Sequence, residues 1–415
     1  MGIFDYFRRS NQPIEERASL ENPAVSLSDP KFLEYFGLSS ISSGGEMVTT
    51  EAALGIPPFW AAVNFLSSTM AGLPLIVYEK TSKGRKRSKT SVADILHYAV
   101  TDEMSSFEWR KSMFERVFTT GRAFSFIDRN ILTNSVKNID YLDPSHVRVV
   151  RKRGQKSYIY QENGIETAYA PSEIIDIPFM LKPDMVGHYS PIHIMREKLA
   201  QAIGMTRYGS KFFQNGGVPP FVIKGAFNAP DAMTRASEQF SAALQKAQNE
   251  RRLALSLPTG HDITVLGIDP SKGQMIESQR FLIEEVARMY SLPTVFLQDL
   301  SKGTFSNTEQ QDLQLIKHTI KRWCEQTEQE MNLKLFGREN NKFYAEYSLD
   351  GLMRGDFKSR MEAYAQGIQN AFVTPNEVRE LENRPPMPNG DDLLVQGATV
   401  PLGKQPNQSN TQPNS

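Results

Sequence analysis

One long amphipathic pattern in the last third of the chain constrains the fold more than any other feature. Ser306 and Glu309 have the spacing of a helix capping box, and Gly337 supplies a stop. Between these signals the apolar residues recur three or four positions apart. They are Leu313, Ile316, Ile320, Trp323, Met331 and Leu335, with Thr327 as a weaker member. The spacing predicts one helix over 306–336 whose apolar face packs against neighbours in the same chain or in another copy.

The rest of the chain mixes helical and strand-like patterns, which predicts an α+β fold. A buried helix over 57–76, closed near Gly72, and a helix around 106–118 are each followed by strand patterns: LIVYEK, AFSFID, NIDYL, HVRVVRK, KSYIYQ and EIIDIPF. One long helix is predicted from the cap Ser190 to the stop at Gly216. The later elements are PFVIKG, DAMTRASEQFSAALQKAQ, RLALSL, DITVLGI, QMIESQRFLIEEVARMY and KFYAEYSLDGL, with a final helix capped by Thr374 and Glu377.

Charge and composition exclude several classes of protein. Lys plus Arg and Asp plus Glu both number 47, so the chain lacks the basic surplus of a protein that grips nucleic acid. The single cysteine, Cys324, rules out an intramolecular disulfide. No apolar run approaches the roughly 18–20 residues that span a bilayer. No nucleotide-binding loop or metalloprotease motif occurs. The sequence therefore predicts a non-enzymatic protein without a cofactor, metal or membrane partner.

Four polar clusters allow a functional and a structural interpretation. His188 and His193 are close in sequence, but no second ligand pair accompanies them, which favours a structural role. Asp391-Asp392 beside a glycine is typical of a turn. Glu284 and Glu285 are adjacent, so they point about 100° apart on a helix and do not form a catalytic pair. The basic segment SKGRKRSKT has no interleaved aromatic residue, which favours a solvated hairpin over a nucleic-acid patch.

Ten blocks in fixed order, over about residues 50–395, resemble the tailed-phage portal proteins of the HK97-like portal family. They are AAVNFLSSTMAGLPLIVYEK, ADILHYAVTDEMSSFEWRKSMFERVFTTGRAFSFIDRN, YLDPSHVRVV, EIIDIPFM, GHYSPIHIMREKLAQAI, FFQNGGVPPFVIKG, RLALSLPTGHDITVLGI, EEVARMYSLPTVFLQD, SNTEQQDLQLIKHTIKRWCEQTEQEMNLKLF and MEAYAQGIQNAFVTPNEVRELENRPPMPNGDD. Each block is weak alone, and the ordered series is specific. Two segments depart from the family: it often has GNAY where this chain has Gly121-Arg122-Ala123-Phe124, and often His where this chain has Asp176.

The resemblance implies a portal fold with wing, stem, clip, tunnel loop and crown regions. The expected divisions are a wing at 46–189, a stem helix at 190–216, a clip at 217–270, a second stem helix at 271–291, a tunnel loop at 292–305, a long helix with a return strand to the wing at 306–351, and a crown at 352–396. Composition adds a disordered N-terminal arm at 1–45 and a disordered tail at 397–415.

The resemblance also implies a function. Such proteins form a ring, usually of twelve subunits, at one capsid vertex of the virion, and double-stranded DNA passes through it during packaging and ejection. The expected partners are further copies of the chain, DNA bound without sequence preference, the terminase large subunit, the major capsid protein or scaffold, and a head–tail adaptor, with assembly in the host cytoplasm. The alternatives are another virion structural protein without a channel, and a nuclease or ligase, whose carboxylate cluster or nucleotide loop is not found.

Two sets of residues are the candidates for these tasks. The tunnel loop would expose a small, weakly basic tip, in which Gly303 permits unusual backbone angles; its residues are Ser301, Lys302, Gly303, Thr304 and Phe305. A plain surface turn is the alternative for this segment. The ring needs a head-to-tail interface between subunits. For its packing we expect Leu313, Ile316, Ile320 and Trp323 from the long helix.

Overall fold

The chain divides into two units, Met1–Tyr347 and Ser348–Ser415. The computed structural model describes residues 39–42, 47–82, 84–152, 154–214, 221–225, 230–249, 261–265, 274–298, 308–339, 342–349, 352, 357–382 and 384–394. The expected arm at 1–45 and tail at 397–415 lie mostly or entirely outside these ranges. Helices and strands are mixed in the first unit, as the α+β prediction requires.

The first unit opens with a short hairpin and a buried helix. Strands β1 (Ser39–Ile41) and β2 (Met47–Thr49) pair antiparallel and lead into the helices Thr50–Leu54 and Pro57–Gly72. The second of these helices begins with proline at its first position and ends at Gly72, as the sequence predicts. Its buried face consists of Phe59, Ala62, Val63, Leu66, Ser67, Met70 and Ala71.

Three antiparallel sheets follow, separated by helices. The first has the order β13-β3-β4, formed by Phe343–Tyr347, Leu75–Thr81 and Gly84–Arg87. The second has the order β10-β5-β6, and the third the order β7-β8-β9. The strands of these two sheets are β5 Arg122–Arg129, β6 Val136–Leu142, β7 Val147–Lys152, β8 Gln155–Glu162, β9 Ile165–Tyr169 and β10 Ile174–Pro178.

Helix Ser106–Thr119 packs against Pro57–Gly72 and beside β5. Ser105 and Glu108 form a capping box at its start. A shorter helix, Ser91–His97, precedes it. The second and third sheets share a core cluster of buried residues, Phe124, Leu142, Val147, Tyr158 and Ile174. This packing holds β5 and β10 in a fixed position.

The long helix predicted over 190–216 is interrupted in the structure. Ser190 caps it as expected, accepting a hydrogen bond from the His193 backbone at 3.4 Å. The first segment, however, ends at Ile194, and Met195 adopts φ −91° and ψ 5° before the helix resumes over Arg196–Gln214. Met195 is neither Gly nor Pro, so no local signal marks the break. The prediction of one continuous helix was therefore wrong.

The next segment contains a two-stranded sheet with a helix between its strands. Strand β11 (Phe221–Gly225) pairs antiparallel with β12 (His261–Val265), and the helix Pro230–Asn249 connects them. The strand predicted at RLALSL lies outside the described residues. Helix Gln274–Tyr290 then returns the chain, followed by a 3₁₀ turn at Thr294–Leu297.

The long helix is described over 308–336, and Ser306 of its predicted cap lies outside the described residues. The π-helical segment Leu315–Ile320 separates its α-helical parts, Thr308–Gln314 and Lys321–Met331, and a second π-helical segment, Asn332–Phe336, ends it. Strand β13 then pairs with β3. The second unit contains the helices Phe357–Gln369 and Pro375–Leu381; Thr374 and Glu377 form the predicted capping box of the latter.

Candidate functional site

The tip of the predicted tunnel loop, Ser301 to Phe305, lies outside the described residues, but residues on both sides of it are placed. On the N-terminal side, the Phe296 ring stacks on Phe65 of helix Pro57–Gly72 with centroids 5.1 Å apart. Leu297 is buried, and Gln298 has a left-handed φ of 64°. On the C-terminal side the long helix begins at Thr308. Phe296 and Leu297, shortly before this tip, are therefore packed against the first unit.

The four residues expected at a subunit interface differ in their environment. Ile316, Ile320 and Trp323 are 6%, 0% and 3% exposed within the single chain. The Trp323 ring lies 5.1 Å from Phe118 in an edge-on arrangement. This packing accounts for the apolar character of all three without a second subunit. Leu313, in contrast, is 43% exposed.

The face of the long helix beside its apolar stripe carries a polar ladder that the sequence analysis missed, formed by Arg322, Gln326, Glu330 and Lys334. These side chains are spaced four residues apart and lie on one face of the helix. Gln326 donates to the Pro178 carbonyl at 2.6 Å, and Arg322 donates to the Phe179 carbonyl at 3.1 Å. Glu330 accepts from the Asp176 amide at 3.0 Å.

Lys334 completes the ladder by donating to the Pro171 carbonyl at 2.5 Å. The four side chains thus bond to the backbone in and around β10, which is the edge strand of its sheet. An edge strand otherwise presents unpaired amide and carbonyl groups. The ladder gives several of these groups a partner and joins the long helix to the sheet.

A buried ion pair lies beside this ladder, and it joins two of the three positions at which the sequence departs from the family pattern. Arg122 and Asp176 are 2% and 8% exposed. The guanidinium donates to both carboxylate oxygens, through Nε at 2.7 Å and Nη2 at 2.6 Å. Tyr158 donates a third hydrogen bond to this carboxylate, at 2.7 Å. The carboxylate is therefore fully paired, which a buried charge requires.

Gly121 allows this arrangement. Its φ is +91°, and a Cβ atom built there would lie 2.5 Å from the Tyr189 carbonyl oxygen. A side chain at this position would therefore strain the backbone and clash with a rigid neighbour. Gly121 fixes the turn from which Arg122 enters the buried site.

The electrostatics of this site follow from burial and from the ion pair. Burial alone would raise the pKa of Asp176, but hydrogen bonds and charge from Arg122 outweigh it, so the pKa lies below the usual value. Burial, with the nearby Arg122 charge, lowers the pKa of His188 to about 4. Burial also raises the pKa of Glu330. At neutral pH, His188 is thus uncharged beside an ionised pair.

The polar clusters singled out in the sequence have structural partners. His188 lies 3.1 Å from the Thr120 carbonyl through Nε2, and Nε2 of His193 lies 3.0 Å from Arg196. Asp391 accepts from the Asn376 side chain at 2.8 Å, as expected of a turn. Glu284 and Glu285 both pair with Arg288, which spans the angle between them. Among the described residues, no group of three or more His, Cys, Asp or Glu is placed to hold a metal ion.

The basic segment is a solvated hairpin, as predicted. Strands β3 and β4 pair there, and all four residues of β4 are exposed. Arg85 pairs with Glu346 at 2.6 Å and stacks on the Tyr78 ring at 4.5 Å. Lys86 pairs with Glu79 at 3.3 Å. Carboxylates therefore neutralise part of the charge that suggested nucleic acid.

Cys324 is buried, and burial raises the pKa of its thiol, so the thiolate is scarce at neutral pH. Within the described part of the chain, no helix combines the length and apolarity that crossing a membrane requires.

Comparison with known proteins gives a consistent result. A family model described as phage portal protein matches residues 57–383. The chain is 29% identical over 391 residues to a probable portal protein of Streptomyces phage phiC31, covering 90% of this chain and 84% of that protein. It is similar in fold to the crystal structure of an HK97 family phage portal protein from Corynebacterium diphtheriae, with a TM-score of 0.54, 16% identity and coverage of 73% of this chain and 96% of that one.

The fold also matches a chain in the neck of the native GTA (gene transfer agent) particle, computed with C12 symmetry. The TM-score is 0.56 at 17% identity, and the match covers 85% of this chain and 96% of that chain.

Proposed function

Because the chain belongs to the phage portal protein family, we propose that it forms a ring of twelve subunits at one vertex of a capsid, through which double-stranded DNA enters during packaging and leaves during ejection. The match over 57–383 carries the proposal, and the twelvefold symmetry with which the neck of the native GTA particle was computed supports the subunit number. The ring would be part of the virion after assembly in the host cytoplasm. Its role is structural rather than enzymatic.

The expected partners follow from this position. The segment 217–270 would face the terminase large subunit during packaging and the head–tail adaptor afterwards. The segment 46–189 would lie toward the major capsid protein or scaffold. The described parts of these segments are the two-stranded sheet with its helix and the antiparallel sheets of the first unit.

In this proposal the segment Ser301 to Phe305 lines the channel. A ring repeats Lys302 in every subunit, so a single weak charge becomes a ring of charges around the DNA. The packed Phe296 and Leu297 support the proposal, because a loop that touches moving DNA needs a fixed base. Combining Lys302→Ala with deletion of Gly303 should reduce DNA packaging and head filling. Unchanged filling would remove this loop from the mechanism.

The ring itself is tested by mass and shape. Twelve subunits of 46.8 kDa give about 560 kDa, which multi-angle light scattering measures directly. Negative-stain images should show a central hole. Particles without a hole would instead favour the alternative, a virion structural protein that has no channel.

A further inference from the structure

A large groove opens between three helices of the first unit. Its walls are the start of helix Pro57–Gly72, one face of helix Arg196–Gln214 and one face of helix Gln274–Tyr290, and its volume is about 910 Å³. Sites that hold a whole ligand have volumes of about 300–1,000 Å³. The groove therefore has room for several large side chains.

Apolar side chains form much of this groove. The Phe281 ring is 48% exposed there, and the Lys198 ammonium lies 5.3 Å from the ring centroid. The other apolar lining residues include Ile56, Ala202, Met205, Leu282 and Ile283. Each apolar side chain left in water forgoes the free energy that burial would give. A concave apolar surface of this kind is typical of a site that another group covers.

The first strand of the unit starts close to this groove. Strand β1 pairs antiparallel with β2, so Ser39 lies opposite Thr49, with the two Cα atoms about 5 Å apart. Thr49 caps the helix Thr50–Leu54, and Gly55 at the end of this helix belongs to the groove wall. At the helical rise of 1.5 Å per residue, Thr49 and Gly55 are about 9 Å apart. Ser39 therefore lies within about 15 Å of the groove.

The eight residues before Ser39 are rich in aromatic and aliphatic side chains. They read KFLEYFGL, at 31–38, whereas residues 8–30 contain no aromatic residue. Disordered segments are poor in aromatic residues, so this composition differs from the one that predicts a disordered arm. The segment lies outside the described residues. Fully extended, eight residues span about 27 Å, which is enough to reach the groove from Ser39.

We propose that the segment 31–38 lies in the groove of its own subunit, with its aromatic side chains against the apolar wall around Phe281. The short connection to β1 keeps the segment near its own groove at a high effective concentration, which favours it over a second copy. Bound in this way, the segment would brace the helices Arg196–Gln214 and Gln274–Tyr290 against helix Pro57–Gly72. The occupant belongs to the subunit itself, so this placement does not depend on the proposed ring.

Labelling of a cysteine in the groove tests the placement. The natural Cys324 is buried, so Gln201→Cys provides the reactive thiol in the full chain; Gln201 is exposed and lines the groove. Maleimide labelling at this position should be at least tenfold faster when Phe32→Ser and Phe36→Ser are added, because the weakened segment uncovers the thiol.

The matched control is Tyr6→Ser with Phe7→Ser, an aromatic pair near the start of the arm. With this pair replaced, the thiol should react as slowly as it does with the unaltered arm. Equal labelling rates in the two double variants would overturn the proposal. Rapid labelling with the unaltered arm would also overturn it, because the groove would then be open.

A photo-crosslink locates the segment without removing its anchoring side chains. With p-benzoylphenylalanine at position 35 of the full chain, irradiation should link the segment to peptides of helix Arg196–Gln214 or helix Gln274–Tyr290, as mass spectrometry of the digest shows. The product should still migrate as one subunit on a denaturing gel.

Two results of the crosslink would contradict the proposal. A product with the mass of two subunits would place the segment in the groove of a neighbouring copy. Links to other regions, or no link, would assign the groove to a different occupant. The same probe at position 6 controls for chance proximity.

Discussion

The ion pair between Arg122 and Asp176 explains two sequence departures with one contact. Where the family often has Asn and His, this chain has two opposite charges, and the structure places them in a bidentate contact. The residues are 54 positions apart, so neither identifies the other in the sequence. Burying one of these charges alone would be costly. Arg122 and Asp176 therefore stabilise each other, and each substitution requires the other.

Breaking this pair should destabilise the subunit strongly. Arg122→Asn leaves the Asp176 carboxylate buried without its counter-charge, which costs about 3–5 kcal/mol of unfolding free energy. Adding Asp176→His, which restores the family pattern at both positions, should recover about half of that loss. Urea unfolding followed by tryptophan fluorescence measures the free energy of unfolding of the single and the double variant. Equal stability of the single and double variants would contradict the coupling.

The exposed pair of Arg85 and Glu346 provides the control for that comparison. Their side chains are 53% and 38% exposed, so water screens the interaction. Arg85→Asn should cost less than about 1 kcal/mol.

His188 predicts a pH dependence of stability. Its pKa in the folded chain is about 4, below the ordinary value of 6.5, so the unfolded chain binds the proton more readily. The contribution of uncharged His188 to the free energy of unfolding is fully present above pH 6.5 and is lost as the pH falls from 6.5 toward 4. The melting temperature should therefore fall in this window, and His188→Gln should flatten that fall. An equally steep fall in the His188→Gln variant would contradict this assignment.

Asp176 also makes the stability of the folded chain fall with falling pH, but at a lower pH than His188 does. Because its folded pKa is depressed below 3.8, its stabilisation is present above that value and is lost as the pH falls through the folded pKa. Asp176→Asn should remove the part of the acid-induced loss that occurs below pH 4. A melting curve with the same acid limb in wild type and variant would contradict this.

At the scale of elements, the sequence predicted those helices and caps whose signals lie close together in the chain. The helices at 57–72 and 106–119 and the capping box at Thr374 have their signals within a few residues of each other. Strand β9 was missed because four of its five residues are exposed, so it lacks alternating apolar residues. The π-helical segments and the polar ladder were missed because the partners that fix them lie elsewhere in the chain. The tunnel loop remains a prediction.

The long helix gives a prediction for ring assembly. Leu313→Asp places a charge on the exposed part of the apolar stripe, so we expect a shift from rings to smaller oligomers with little change in subunit melting temperature. Ile320→Asp buries the charge inside the subunit and should instead lower the melting temperature. Light scattering and calorimetry separate the two effects. A Leu313 variant that forms normal rings would exclude this position from the interface.

The polar ladder gives a prediction for local stability. Glu330→Ala removes the acceptor of the Asp176 amide, so hydrogen exchange at that amide should accelerate about tenfold or more. Glu325→Ala, on the same helix but paired with Lys321, controls for a general loss of helix stability. Equal acceleration in both variants would show that the ladder does not protect the strand.

At the scale of the whole molecule, the absence of net charge fits the proposed channel, through which DNA would have to slide. Each lysine or arginine contact to a phosphate adds affinity through released counterions, so a basic lining would slow passage. The chain carries equal numbers of basic and acidic residues. Its basic hairpin, moreover, is partly neutralised by Glu79 and Glu346. The proposed ring would therefore guide DNA without holding it.

The salt dependence of DNA binding measures this property. A protein with six to ten phosphate contacts loses about 10³–10⁵ in affinity between 50 and 200 mM salt. For the purified ring we expect a loss below about a hundredfold, measured by fluorescence anisotropy of a short duplex. Thr304→Lys should steepen the dependence if the loop lines the channel. A steep dependence in the unaltered ring would contradict the sliding argument.

The helix side chains along β10 affect whether free subunits aggregate before a ring closes. In a free subunit, an uncovered strand edge would allow each copy to extend the sheet of the next without limit. Arg322, Gln326, Glu330 and Lys334 occupy backbone groups that such stacking would use. Closed rings therefore compete with fewer open-ended fibres, and this protection is present in the subunit from the moment it folds.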